Sequence, residues 1–162
     1  MSADLLKELY DNDPRSFSIA NRLTLSKPQH FSLSGLNGSS AQFIIAQILS
    51  QPITSQLNHL VILRDNEEAA YFHNSLENIS QSPNLFFFPS SFKHPRNFKL
   101  LNSSHVMLRT EALSSFLYPG NKKVMITYPE ALFEKVIIPA SVQNSIITIK
   151  QGGELKGDEV LP

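Results

Sequence analysis

The sequence predicts an α/β fold with a mainly parallel sheet covered by helices on both faces. Short apolar runs of strand length recur at Leu60-Val61-Ile62-Leu63, Leu85-Phe86-Phe87-Phe88 and Val124-Met125-Ile126. Stretches of helical length separate them, and two of these open at capping-box spacing, Asp65 to Glu68 and Thr127 to Glu130. A glycine turn, Gly35-Leu36-Asn37-Gly38, leads from an alternating segment into a very apolar helix. Strand–helix alternation of this kind builds βαβ units, whose strands are buried on both faces and so read as continuous apolar runs.

In chain order, Ala3 to Tyr10 reads as a short helix with Leu5, Leu6, Leu9 and Tyr10 on one face. Asp11-Asn12-Asp13-Pro14 breaks it, and Pro14 opens a second helix carrying Phe17, Ile19, Ala20 and Leu23. Phe31-Ser32-Leu33-Ser34 alternates as a strand does. Ser39 to Leu49 is apolar on most sides, as a helix buried between layers is. The helix opened by Asp65 runs to about Ile79, with Ala69, Phe72, Leu76 and Ile79 inward. Phe86-Phe87-Phe88 reads as a buried central strand, and a loop with Pro95 leads to a helix from about Ser103 to Leu117. Pro129 lies just inside the helix opened by Thr127. Ser145-Ile146-Ile147-Thr148-Ile149 is β-branched and reads as a strand, and Gly152, Gly153 and Gly157 lie in an exposed tail. Residues 1–27 form an N-terminal helical segment, 28–150 the α/β domain, and 151–162 a tail or the start of a further domain.

Composition narrows the function. The 162 residues carry 14 Lys+Arg against 14 Asp+Glu, a net charge of zero, so bulk charge demands no nucleic acid. With no cysteine there are no disulfides, thiolate metal sites or Cys nucleophiles. No apolar run approaches the ~18 residues of a membrane span, which predicts a cytoplasmic chain with no membrane partner. His30, His59, His73, His94 and His105 show no metal spacing, and no G-x-S-x-G occurs. Asp65, Glu67 and Glu68 could serve as an acid/base pair or metal ligands, but acidic residues in a first helical turn also suit the helix dipole. Phe92-Lys93-His94-Pro95-Arg96-Asn97-Phe98-Lys99 is the basic, aromatic cluster of the chain. Lys93, His94, Arg96 and Lys99 are its candidate contacts to nucleic acid or a partner, against the plainer reading of a solvated loop.

The turn before the apolar helix sits where a phosphate loop belongs. Such a loop needs glycines to bare backbone N–H groups, a Lys for the β/γ charge and a Ser or Thr for Mg²⁺. A G-x-x-x-x-G-K-[ST] frame begun at Gly35 places Ser40 at the second glycine, Ala41 at the lysine and Gln42 at the metal ligand. Gly35, Gly38, Ser39, Ser40, Ala41 and Gln42 therefore form a degenerate loop, not expected to bind nucleotide tightly, though the helix N-terminus could attract an anion weakly, and no cofactor is expected.

Strand, Gly35-Leu36-Asn37-Gly38-Ser39 and apolar helix resemble the opening of the UvrB-like module, found in the repair protein UvrB and at the N-terminus of the bacterial transcription-repair coupling factor (Mfd). Leu60-Val61-Ile62-Leu63-Arg64-Asp65, then Glu68-Ala69-Ala70 and Leu76, resemble the family's second strand and helix. Leu85-Phe86-Phe87-Phe88-Pro89 is similar to its third strand, and Arg109-Thr110-Glu111-Ala112-Leu113 to the helix after it. Val124 to Leu132 resembles its strand-T-x-P-x-A-L segment. The similarity runs from about Phe31 to Lys150.

That resemblance implies a three-layer, P-loop NTPase-like (RecA-like) domain with a spent phosphate loop. UvrB keeps an intact loop and a long aromatic hairpin after the third strand. Here only Ser90 to Asn102 fills that interval, which favours the coupling factor's module. The resemblance implies a non-catalytic scaffold for excision repair, within a parent that is an ATP-driven DNA translocase acting on stalled RNA polymerase. ATP and Mg²⁺ would serve the parent's motor domains. UvrA would dock on an adjoining domain that this chain, ending at Pro162, would lack as a fragment. Other domains of the parent would be further partners, with RNA polymerase and DNA reached through it. An active helicase or excision-nuclease subunit, or an unrelated α/β interaction domain, are the alternatives.

Overall fold

The computed structural model describes residues 3–80, 84–94, 97–120 and 122–136. Helices α1 (Ala3–Asp11) and α2 (Pro14–Leu23) come first, then α3 (Ser40–Ser50) and a single 3₁₀ turn at Pro52–Thr54. Strand β1 (His59–Ile62), helix α4 (Asn66–Ser80) and strand β2 (Leu85–Phe87) follow. A hairpin of β3 (Phe92–His94) and β4 (Asn97–Leu101) precedes α5 (Ser103–Leu117), β5 (Val124–Thr127) and α6 (Pro129–Phe133).

The sheet is parallel with the order β1-β5-β2. Val124 lies between His59 and Leu85, and Ile126 between Val61 and Phe87. Val124 and Ile126 are fully buried, so β5 is the hydrophobic axis of the domain. α4 covers the face of Phe87, where His73 meets the Phe87 ring at 5.6 Å. Ala69, Phe72 and Leu76 of α4 join Ala46 and Leu49 of α3 in one core with Val124 and Ile126. α5 covers the opposite face, where Phe116 meets the edge of Phe86 at 6.1 Å.

α3 is apolar nearly all round because it is covered twice. Its inner side joins the core with α4, and Phe43 stacks on Tyr10 of α1 at 5.1 Å. The two lysines before β5 tie the layers together. Lys122 donates to the Leu49 carbonyl at the end of α3, and Lys123 to the carbonyls of Ser115 and Tyr118 at the end of α5. Cations at helix C-termini satisfy carbonyls that have no partner within the helix.

Several expectations need correction. Phe31-Ser32-Leu33-Ser34 forms no strand; the chain there is irregular and Leu33 is exposed. Phe31 lies under the Arg22 guanidinium of α2, 5.0 Å from its ring centre, which ties it to the helices instead of the sheet. Phe86 and Phe87 stand on an edge strand of the described sheet, and β5 is central. The segment expected as a loop holds instead the β3–β4 hairpin, in which Phe92 pairs with Leu101 and His94 with Asn97, while Pro95 lies outside the described residues. The Thr127–Glu130 capping box is not made: Tyr128 is the N-cap, and Thr127 Oγ1 donates to the Phe88 carbonyl. The Asp65 box forms in altered shape. Asp65 accepts from the Glu68 N–H at 2.9 Å, while the Glu68 carboxylate reaches back to the Arg64 N–H at 3.1 Å. The strand expected at 145–149 and the glycine tail lie outside the described residues.

Leu76 is fully buried in the α4 core, so Leu76→Ala should cost about 2–5 kcal/mol, the range of large-to-small core changes. Urea unfolding of both proteins measures it; a loss below about 0.5 kcal/mol would contradict this placing of the core.

Candidate functional site

Gly35 and Gly38 have φ of 75° and 57°, the left-handed region that glycine enters without strain. The turn they make carries no Lys or Arg side chain. Ser40 turns inward along the chain: its N–H and its hydroxyl both donate to the Asn37 carbonyl, at 3.2 and 2.6 Å. Ser39, the N-cap of α3, makes no side-chain cap bond. Ala41, in the lysine place, packs against the core. Gln42, in the metal-ligand place, is buried, and its Oε1 has no protein partner. With no sheet strand before it, the turn also lacks the support from which a phosphate loop hangs.

The carboxyl ends of parallel strands are where open α/β sheets hold ligands. Here that end forms a crevice of about 400 Å³. Asp65, Asn66 and Glu67 line it after β1, Ser90 and Phe92 after β2, Tyr128 and Glu130 after β5, and His105 from α5. None of residues 35–42 lines it. Among the described residues this wall carries three carboxylates and no Lys or Arg, which disfavours phosphates there. Asp65 is already engaged. The Glu68 N–H and the Arg64 guanidinium hold its carboxyl below the usual aspartate range. His105 Nδ1 lies 2.8 Å from the Ser90 carbonyl, and since a carbonyl only accepts, that nitrogen carries the proton. No group of three or more metal-ligating side chains forms among the described residues.

Below the crevice lies a cluster that sequence reasoning missed. Arg109 of α5 is buried, with its Nε 3.4 Å from Glu134. One terminal nitrogen donates to the carbonyls of Pro89 and Ala131, at 2.8 and 3.1 Å. The guanidinium sits over the Phe88 ring at 4.0 Å. Glu134 also accepts from the Ser91 N–H at 2.8 Å and the Ser90 hydroxyl at 3.0 Å. Tyr128 accepts the Ser90 N–H at 2.8 Å, and burial pushes its phenol up. Burial pushes the Arg109 guanidinium down, but an arginine starts so high that it stays charged. The exit of β2 is thus tied to α5 and α6. Arg109 stands one helical turn before the buried Ala112, which marks its face; Glu134, 25 positions away, gives no local sign.

The basic cluster is split. Lys93 and His94 lie on β3 and Lys99 on β4, while Arg96 lies outside the described residues. The hairpin meets the crevice through Phe92. The chain matches no family model, no curated protein and no solved structure.

Burial alone would raise the Glu134 carboxyl, but bonds from Ser91, the Arg109 charge and Ser90 outweigh it and hold it below the ordinary glutamate range. A carboxylate with a depressed folded-state pKa gives its stabilisation above the unfolded value and loses it as pH falls through the folded one. Arg109→Ala should therefore cost about 3–5 kcal/mol at neutral pH, by stranding a buried carboxylate. Glu134→Gln should be less stable than wild type at pH 7, and the gap should close on acidification from about pH 4.5 downward. Denaturant titrations across that range decide it; a gap that widens in acid would be the contrary result.

Proposed function

We propose that this chain is a non-catalytic UvrB-like module of a transcription-repair coupling factor, of P-loop NTPase-like (RecA-like) descent. It acts as a scaffold that carries and positions the domain on which UvrA docks, within a parent that is an ATP-driven DNA translocase. The order of elements supports the reading. From the glycine turn onward, apolar helix, strand and helix, strand, helix, then strand and short helix follow in the order of the resemblance, with the β3–β4 hairpin between β2 and α5 and without the strand the resemblance places before the turn.

The observation that carries the non-catalytic part is the turn at the head of α3. Of its two serines, Ser40 has its hydroxyl bonded back to Asn37 and Ser39 makes no cap bond; the lysine place holds Ala41, and Gln42 is buried. The carboxyl-end crevice offers no substitute, because carboxylates and an imidazole line it where a triphosphate needs cations. The architecture does not depend on that lost chemistry, because its core lies in α3, α4, α5 and β5.

Two assays test the proposal together. The chain should release no phosphate from ATP above the buffer rate, with or without DNA. It should capture UvrA when joined to the residues that follow it in its parent, and fail to do so alone. Turnover would favour the helicase or nuclease reading. Failure of the joined protein to hold UvrA would leave only an α/β interaction domain of another kind.

A further inference from the structure

A second cavity, of about 280 Å³, lies at the other end of the strands from the crevice. Tyr10 of α1, Leu49 of α3 and Ile79 of α4 wall it, and Lys122 stands beside it, two residues before β5. The ends of α3 and α4 and the approach to β5 are where the chain enters the sheet, so this is the amino end of the strands. The cavity shares no residue with the crevice or with the glycine turn.

Its chemistry is mixed. Phe43, Ala46 and Leu49 give it one apolar wall, and the Tyr10 ring stacks on Phe43. Lys122 donates to the Leu49 carbonyl, which occupies one of the three N–H groups of an ammonium. None of the ion pairs among the described residues involves Lys122 or Lys7, the other lysine of the wall. Burial pushes the Lys122 ammonium down, and no carboxylate pulls it back. Asp11 also lines the wall, so two lysines against one aspartate leave the described lining one positive charge in excess. Ser80, at the end of α4, lines the cavity too. Its hydroxyl is shut off from solvent and has no partner among the described residues. A buried hydroxyl without a bond is costly, and in a native fold such a group calls for a partner.

An apolar wall, an ammonium without a counter-charge and an unbonded hydroxyl together suit a carboxylate that carries an apolar body. Size sets the body. A dry cavity of about 150 Å³ takes one benzene ring. This one is nearly twice as large, with room for a ring and an acid arm or for a medium chain. We propose that the cavity binds a small monocarboxylic acid with an aromatic or aliphatic body of about six to nine carbons, its carboxylate on Lys122 and the Ser80 hydroxyl and its body against Phe43, Ala46 and Leu49. Inorganic phosphate lacks the body, and an alkylamine carries the wrong charge. The inference is independent of the functional reading, because no residue of the scaffold argument lines this cavity.

Calorimetric titration of the full chain with phenylacetate and with octanoate tests it, followed by NMR of the methyl groups. Each acid should bind once per chain and saturate. The signals of Ala46, Leu49 and Ile79 should move more than those of Val106 and Ala112, which belong to α5 on the opposite face of the sheet. Octylamine keeps the tail and reverses the head charge, and should bind at least about tenfold more weakly than octanoate. Sodium phosphate should give no saturable heat. Lys122→Met should weaken octanoate about tenfold or more. Because that change also frees the Leu49 carbonyl, Ser80→Ala provides a variant that keeps its fold. It should bind octanoate about threefold or more weakly, yet unfold no more readily than the unaltered chain, since it removes a hydroxyl that bonds nothing. No saturable heat with either acid would overturn the proposal. So would equal affinity for octylamine, which would leave an apolar pocket without a carboxylate site. Unchanged affinity in Ser80→Ala, or the largest methyl shifts on α5, would put the acid elsewhere and overturn it as well.

Discussion

The Arg109 guanidinium holds the carboxyl end of this domain together. It is one buried cation whose contacts reach the Pro89 carbonyl after β2, the Ala131 carbonyl of α6, the Phe88 ring and the Glu134 carboxylate. A buried charge is tolerated only when paired and hydrogen-bonded, and Arg109 meets most of that demand through Nε and one terminal nitrogen, the other terminal nitrogen having no protein partner among the described residues. Through Glu134 the same charge fixes Ser90 and Ser91, and Ser90 in turn receives His105 and binds Tyr128. The crevice wall therefore follows from the ion pair below it. The placing of α6 beside α5 follows from it too.

The glycine turn and this carboxyl end are energetically separate. The turn contributes two left-handed glycines and a serine bonded back to Asn37, all near the surface. The core draws on Leu49, Leu76, Val124 and Ile126, none of which depends on a bound phosphate. Ala41 at the head of α3 packs against the core. An αβ layer structure of this kind holds its shape by burial, whatever its turns bind.

The sequence made the helices and the parallel ladder legible because they depend on local patterns. Ala69, Phe72 and Leu76 repeat at helical spacing and are the buried face of α4. Pro14 opens α2, as its place in the chain suggests, and the structure adds Asp13 as its cap. What was hidden depended on distant partners. Phe31-Ser32-Leu33-Ser34 alternates like a strand, yet Arg22 holds Phe31 beside α2. Thr127 has capping-box spacing, but a bond to the Phe88 carbonyl of the neighbouring strand takes its hydroxyl. The β3–β4 hairpin has only mixed polar and aromatic residues around Pro95 to announce it. Arg109 and Glu134 meet only once β5 and α6 are folded beside α5. The missing cation of the glycine turn was plain from residues 35–42 alone, because it is a matter of residue type and spacing.

The central claim is that the turn at the head of α3 has nothing with which to hold a triphosphate. Calorimetric titration of the chain with ATP, in Mg²⁺ and again in chelator, measures this directly. The account predicts only the heat of dilution in both, with no saturation into the millimolar range. A one-to-one isotherm with micromolar affinity that vanishes on removing Mg²⁺ would contradict it.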